Sequence, residues 1–344
     1  MPSSVPVRNV FYLLCYAWNR LNEGKLVDVG TIDRNELGDL FARMLMSGVR
    51  HLLRRGLERD YLECQAEVAG IRGRVALVDT HRRFLDRHGR TMCTFDELTD
   101  DTLANRVLKA TMRSLANVES LDHGNRWQLR SLIRRFESVS DVRVGGEQFG
   151  RIRLHGNNRP YLFLMSICRL VHDCLLIDET TGRYRVRDFL RDHQAMARLF
   201  ESFVFNFYRI ERPEFDVKSD IIQWDGTSLT DPTLSFLPSM RTDICLRRSE
   251  RTVVIDAKYY AETLEGWYDA QKVHSAHLYQ LVSYIKNLKR RGGSDANAEG
   301  MLLYPTVDRS LRLEYTLLGH KVRICTVDLA QDWEKIDSEL RALV

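Results

Sequence analysis

The stretch "MRTDICLRRSERTVVIDAKYY", residues 240–260, holds two β-prone apolar runs on either side of a short charged turn. It restricts what this chain can fold into more than any other segment. Strand side chains alternate between faces, so Asp256 and Lys258 point one way and Ala257 the other. A hairpin centred on Ser249 and Glu250 pairs positions whose numbers sum to 499, which sets Asp243 opposite Asp256. Two carboxylates would then face each other across a ladder, about 5 Å apart at Cβ, with Lys258 one step along the same face. Like charges so placed destabilise a sheet unless something bridges them, and burial makes them costlier. A divalent cation does this well, because Mg2+ takes one or two carboxylates plus water and phosphate oxygens. The pair therefore reads as a metal site, provided the turn keeps this register.

The rest of the chain supplies a globular frame. Its 344 residues suffice for two domains, and 44% hydrophobic with 28% charged residues is ordinary globular composition. The net charge of +4 permits a nucleic-acid partner without arguing for one. Seven cysteines are scattered without a CxxC, which points to buried free thiols in a reducing compartment and to no zinc site. The start, "MPSSVPVRNV", lacks the basic and apolar regions of a signal peptide. The greasiest run, "YLFLMSICRLVHDCLLI", is broken by Arg169, His172 and Asp173, so it is expected as a buried helix and the protein as cytoplasmic.

Periodicity orders the elements. Val10, Leu14, Ala17, Trp18 and Leu21 recur at helical spacing, and a second helix is expected near residues 35–54, stopped by Gly56. "DYLECQAEV" and "GRVALVDT" read as strands, followed by an exposed basic turn with Gly89 between extended segments, a projecting finger near residues 80–92. "DELTDDTLANRVLKATMRSL" reads as a helix with acids in its first turn, and another helix is expected near 126–137. The Gly- and Asn-rich stretches "VRVGGEQFGR" and "HGNNRP" suggest a domain junction, dividing the chain into 1–155 and 156–344. The second part is expected to run helix 190–209, a strand ending near Leu246, a strand at 253–259, helix 275–290, three further strands and a final helix. The fold class is α/β (α+β).

Asp243 followed by Asp256-Ala257-Lys258 resembles the core of PD-(D/E)XK nucleases, and the order of elements agrees with that fold. The usual proline before the first acid is absent, with Thr242 in its place. Gln280 and Tyr284, at i and i+4 on one helix face, match the QxxxY signature of the RecB-like branch. Glu201 in "LFESFVFNFY" stands on the preceding helix, where such nucleases often keep an acid. This resemblance implies catalytic roles for Asp243, Asp256, Lys258, Gln280 and Tyr284. It implies Mg2+ held by Asp243, Asp256, the Ala257 carbonyl and Glu201. A D-x-K triplet alone is weak, Glu201 and Gln280 also suit solvated helix flanks, and His274 and His277 after a loop read as surface residues.

The likeness extends further. "VPVRNVFYLLCYAW", "RRGLERDY", "GIRGRV", "TFDELTDDTLANRVLKAT" and "FLPSMRTDI" resemble the McrC family, the nuclease subunits of McrBC-type modification-dependent restriction systems. That resemblance implies a PD-(D/E)XK core in the C-terminal part and an N-terminal module that binds a McrB-like AAA+ GTPase ring. GTP would be bound by that partner, since this sequence has no GxxxxGK[ST] loop. The substrate implied is double-stranded DNA containing modified cytosine. Arg82, Arg83, Arg87 and Arg90 would enter the partner's pore, although a solvated or phosphate-touching basic loop also fits them. A non-cleaving adaptor that only activates an AAA+ partner, and a stand-alone DNA-repair nuclease, are the alternatives.

Overall fold

The computed structural model describes residues 5–24, 37–154, 159–177, 184–187, 189–259, 273–306 and 310–344. The described elements begin with helices α1 (Val7–Ala17), α2 (Leu21–Gly24) and α3 (Leu37–Arg55). Strand β1 (Asp60–Ala69), strand β2 (Arg74–Val75), helix α4 (Leu77–Arg82) and strand β3 (Arg90–Thr99) follow. Next come α5 (Leu103–Ala116), α6 (His123–Ile133), α7 (Gly146–Arg151), α8 (Arg159–Cys174), β4 (Leu175–Ile177) and β5 (Tyr184–Val186). The remainder comprises α9 (His193–Glu211), β6 (Asp216–Lys218), β7 (Ile221–Ile222), β8 (Met240–Arg241), β9 (Ile244–Arg248) and β10 (Arg251–Ala257). It closes with α10 (Ser275–Leu288), β11 (Glu299–Thr306), β12 (Arg312–Leu317), β13 (His320–Asp328) and α11 (Trp333–Ala342).

The chain forms two compact units, Met1–Leu40 with Arg187–Val344, and Phe41–Val186. This spatial division falls at other residues than the 155/156 break read from composition. The cause lies in α1, which buries Val10, Leu13 and Leu14 and packs on α9. Asn9 Nδ2 donates to the carbonyls of Leu329 and Gln331, each at 2.8 Å, and the Tyr16 ring packs among Phe203, Phe207 and Trp333. The Gly-rich "VGGEQFGR" is no linker either, since Gly146–Arg151 forms α7.

The first unit is built on a six-stranded mixed sheet of order β12-β13-β11-β10-β9-β6. β9 and β10 pair antiparallel in the expected register, Ile255 opposite Ile244 and Arg251 opposite Arg248. β10, β11 and β13 run parallel, and strands buried on both faces show the continuous apolar runs seen in "TVVI" and "GMLLY". Helix α10 lays Leu281, Tyr284, Ile285 and Leu288 on a cluster with Val254, Leu302, Tyr304 and Ile324. Gly300 permits this close approach, because a Cβ there would lie 3.0 Å from Leu281 Cγ.

The second unit carries a three-stranded sheet of order β1-β3-β2, with a ten-residue antiparallel ladder from Asp60↔Thr99 to Ala69↔Arg90. Two expectations fail here. "GRVALVDT" is a two-residue strand followed by α4, pinned by Thr80, whose hydroxyl donates to Ala76 O and accepts from Met92 N. Leu77 and Val78 remain exposed, so their apolar character reports no burial. The basic turn accordingly lies between a short helix and β3, not between two strands. The acids of "DELTDD" do not open a helix: the stretch to Thr99 closes β3, and α5 starts at Leu103 with Thr102 as its cap. Asp101 instead pairs with Arg106 at 2.7 Å.

A buried amide anchors the root of this ladder. Asn105 Nδ2 donates to Glu58 O at 3.0 Å and Asp100 O at 2.6 Å, and its Oδ1 accepts from Tyr161 OH at 2.6 Å. Among the described residues no helix is long and apolar enough to cross a membrane. All seven cysteines are free, and six are buried, Cys64 being half-buried.

Candidate active site

The end of the central sheet gathers the acids and the lysine. β10 carries Asp256 fully buried at its last turn of pleat, on the face that α10 covers, and the Lys258 N–H donates to Leu303 O at 3.0 Å, extending the pairing with β11. Asp243 stands one residue before β9, where the register continues to place it opposite Asp256. Its Oδ2 accepts from the Ala257 N–H at 3.0 Å. Thr242 earns its place before this acid. Its N–H donates to Asp220 O and its hydroxyl accepts from the Asp220 N–H, both at 2.9 Å, and a proline could make neither bond.

The electrostatics of the cluster are severe. Lys258 Nζ lies 3.0 Å from Asp256 Oδ1, and among the described residues no donor meets either buried Asp256 oxygen with regular hydrogen-bond geometry. Burial, then the Asp243 charge, push the Asp256 carboxyl up to about 7 against the opposing pull of Lys258. Burial alone would lower Lys258, but Asp256 and Asp243 outweigh it and raise its pKa. A buried carboxylate with two unsatisfied oxygens is a donor set lacking an acceptor of its charge, which suits a hard cation. Among the described residues no group of three or more His, Cys, Asp and Glu side chains is gathered as a metal cluster, and the acids brought together at this sheet end are Asp243 and Asp256.

The other expected residues fall as follows. Gln280 Nε2 donates to Tyr284 OH at 2.7 Å, joining the two on one face of α10. Burial raises the Tyr284 phenol, and its further coupling to Asp256, Asp243 and Lys258 places it in the same electrostatic cluster. Glu201, on α9, and Asp243 line one cleft of about 350 Å3 with Asn206, Ser219 and Arg241. The Glu201 carboxyl is pushed up by desolvation and by Asp243. Arg82, Arg83, Arg87 and Arg90 belong to the second unit, where all four are exposed beside the distal end of the ladder. Arg90 pairs with Glu67 at 2.5 Å, and Arg87 lies over the Phe84 ring.

One nearby group was misread from sequence. His277 is buried, not on the surface: its Nδ1 lies 3.0 Å from Tyr304 OH. Burial, then Lys258 and His274, bring its pKa down to about 4, so it is neutral at physiological pH. The apolar company of its helix face, at Leu281 and Tyr284, was the available signal.

Residues 7–305 match the family described as McrBC 5-methylcytosine restriction system component. The chain belongs to this family. It is 37% identical over 336 residues to the "Type IV methyl-directed restriction enzyme EcoKMcrBC" of Escherichia coli strain K12, covering 98% of this chain and 96% of that protein. In fold it is similar to a chain in a refined half-complex of Thermococcus gammatolerans McrB AAA+ hexamers with bound McrC. The TM-score is 0.58 at 19% identity, over 96% of this chain and 74% of that one. The α/β class and the McrC resemblance read from sequence are thereby borne out.

Proposed function

We propose that this McrBC-family chain is the Mg2+-dependent DNA endonuclease subunit of a GTP-dependent restriction complex. It would cleave double-stranded DNA containing modified cytosine and stimulate the GTPase of a McrB-like AAA+ ring. The observation that carries the nuclease reading is the buried Asp256 carboxylate, which faces Asp243 and is met by Lys258 at 3.0 Å. A purely structural sheet end has no reason to keep that arrangement, since apolar residues there would be more stable.

Asp243 and Asp256 would hold the ion, with the Ala257 carbonyl and Glu201 at its margin. Bound there, Mg2+ supplies charge to polarise a phosphoryl oxygen and to acidify a water. The protein's own share of the work is separate. Lys258 keeps its proton, because the two aspartates raise its pKa, and so presents a fixed positive charge to the anion that develops at phosphorus. Tyr284, oriented by Gln280, offers a hydroxyl on the same side for a phosphate oxygen or the attacking water. In the second unit, the exposed arginine turn supplies planar cationic forks suited to an acidic or phosphate-bearing partner pore.

The test uses methylated and unmethylated plasmid with Mg2+, GTP and the AAA+ partner, comparing wild type with Asp256→Ala. Methylation-dependent cutting should fall by roughly 10^3-fold or more in the variant, as for loss of a main electrostatic stabiliser, while GTPase stimulation persists. Equal cutting by the variant would sink the assignment. Stimulated GTP turnover with intact DNA in both would make the chain an adaptor.

A further inference from the structure

The connection between β7 and β8, residues 223–239, displays apolar side chains that the fold has not buried. Leu229 is fully exposed and Phe236 is 92% exposed. A floppy loop could carry such residues without consequence, but this one is tied at every level. Trp224 Nε1 donates to Pro238 O at 2.7 Å and closes its neck. Asn287 Oδ1, on α10, accepts from the Asp225 N–H at 2.7 Å, and Arg290 reaches Trp224 O. Inside the loop one carboxylate organises the turn. Asp231 accepts from the Thr233 hydroxyl, the Ser235 N–H and hydroxyl, and the Phe236 N–H, and Leu234 takes a left-handed φ of 55°. Ordering a loop in order to hold a phenyl ring in water has an entropic cost with no return inside the molecule.

The surroundings identify the occupant. The loop and the C-terminal end of α10 form a cleft of about 900 Å3 lined by Thr227, Ser228, Ser235, Asn287 and Arg290. Lys286, Lys289, Arg290 and Arg241 make no ion pair among the described residues, whereas Arg291 is held by Asp220 at 2.7 Å. At 1.5 Å per residue along α10, Lys289 lies roughly 13 Å beyond Gln280. The loop returns through β8 to Asp243, three residues after Met240. A cleft lined by hydroxyls and by Arg290, with the exposed Phe236 next in sequence to its lining residues Ser235 and Leu237 and Lys289 beside Arg290, has the chemistry of a nucleic-acid surface.

We propose that loop 223–239 is a DNA-contacting wedge: Lys289 and Arg290 hold phosphates while Phe236 and Leu229 press on base steps beside the cleavage site. This rests on the nuclease reading above and adds where the duplex lies and how it is deformed.

The experiment uses the full chain with its AAA+ partner and GTP on a methylated duplex containing 2-aminopurine near the cut site. The phosphodiesterase step is blocked by Asp256→Asn for the binding measurements. Adding Phe236→Ala with Leu229→Ala should weaken DNA binding about tenfold, the scale of one lost base-stacking contact, and remove the fluorescence rise of unstacked 2-aminopurine. GTPase stimulation should stay unchanged. In the cleavage-competent background the same pair should slow cutting to a similar degree. Unchanged binding and fluorescence overturn the wedge while leaving the nuclease intact. Lost GTPase stimulation with normal DNA binding assigns the loop to the protein partner and overturns it too. A wild-type chain that neither binds nor cuts DNA in the complex removes both readings together.

Discussion

The central strand β10 and the ladder strand β1 are both runs of alternating and β-prone residues, yet they have opposite fates. All of Thr252–Ala257 is buried, whereas the first four residues of β1 are not and the rest alternate only between half-buried and exposed. β10 lies between antiparallel β9 and parallel β11 and is covered by helix α10, so its stability comes from burial. The β1–β3 ladder keeps Tyr61, Leu62 and Leu98 in water and relies on backbone pairing and on the Asn105 anchor at its root. The lesson is that the well-packed strand can afford a charged defect at its end, while the exposed ladder can afford apolar residues on its surface. Each departs from the usual rule where function would need it.

Three changes sharpen or break that contrast. The largest effect is expected from Asp256→Asn in metal-free protein. The folded carboxyl is raised to about 7, so between about pH 4 and pH 7 the unfolded state holds fewer protons than the folded one. Stability therefore falls as pH rises through that window. The neutral amide escapes the loss and should be more stable at pH 7 by up to about 4 kcal/mol, and by little at pH 4. Thermal unfolding at both pH values in EDTA checks this, and Mg2+ should raise the wild-type midpoint more than the variant's. A variant less stable than wild type at pH 7 would show the carboxylate to be a structural asset.

Next is Asn105→Ala. It removes the amide that donates to the carbonyls of Glu58 and Asp100 and accepts from the Tyr161 hydroxyl, and it should cost about 2 kcal/mol. Hydrogen exchange should then speed up selectively in β1 and β3, which distinguishes a loosened root from general unfolding. The smallest effect is expected from Leu62→Ala with Leu98→Ala on the exposed ladder. Denaturant midpoints should shift by no more than about 0.5 kcal/mol in stability terms. A loss of several times that would mean the ladder buries these side chains in solution.

The parts legible in the sequence were those fixed by local pattern. The alternation of "TVVIDAK" and the short turn at Ser249 and Glu250 gave the β9–β10 register and the pairing of Asp243 with Asp256. The i, i+4 spacing gave the Gln280–Tyr284 bond. What escaped depended on tertiary contacts. Leu77 and Val78 resemble strand residues, but the Thr80 bonds to Ala76 and Met92 impose a helical turn. His277 follows a polar stretch, yet its helix face turns it inward to Tyr304. The organised loop at 223–239 has no signature in the sequence, because the Asp231 bonds and the Trp224 closure join residues whose types alone announce nothing.

The discontinuous unit also has a consequence for synthesis of the chain. α1 finishes at Ala17, but its packing partner α9 and the carbonyls that receive Asn9 lie beyond residue 190. Residues 41–186 form a unit of continuous sequence and have all their own contacts in hand once translated. At 5–20 residues per second, the apolar face of α1 must wait roughly 15–60 s for the rest of its unit to leave the ribosome. Helix α1 is thus made long before it can find its place, and during that interval its Val10–Leu14 face is a natural client for a holding chaperone.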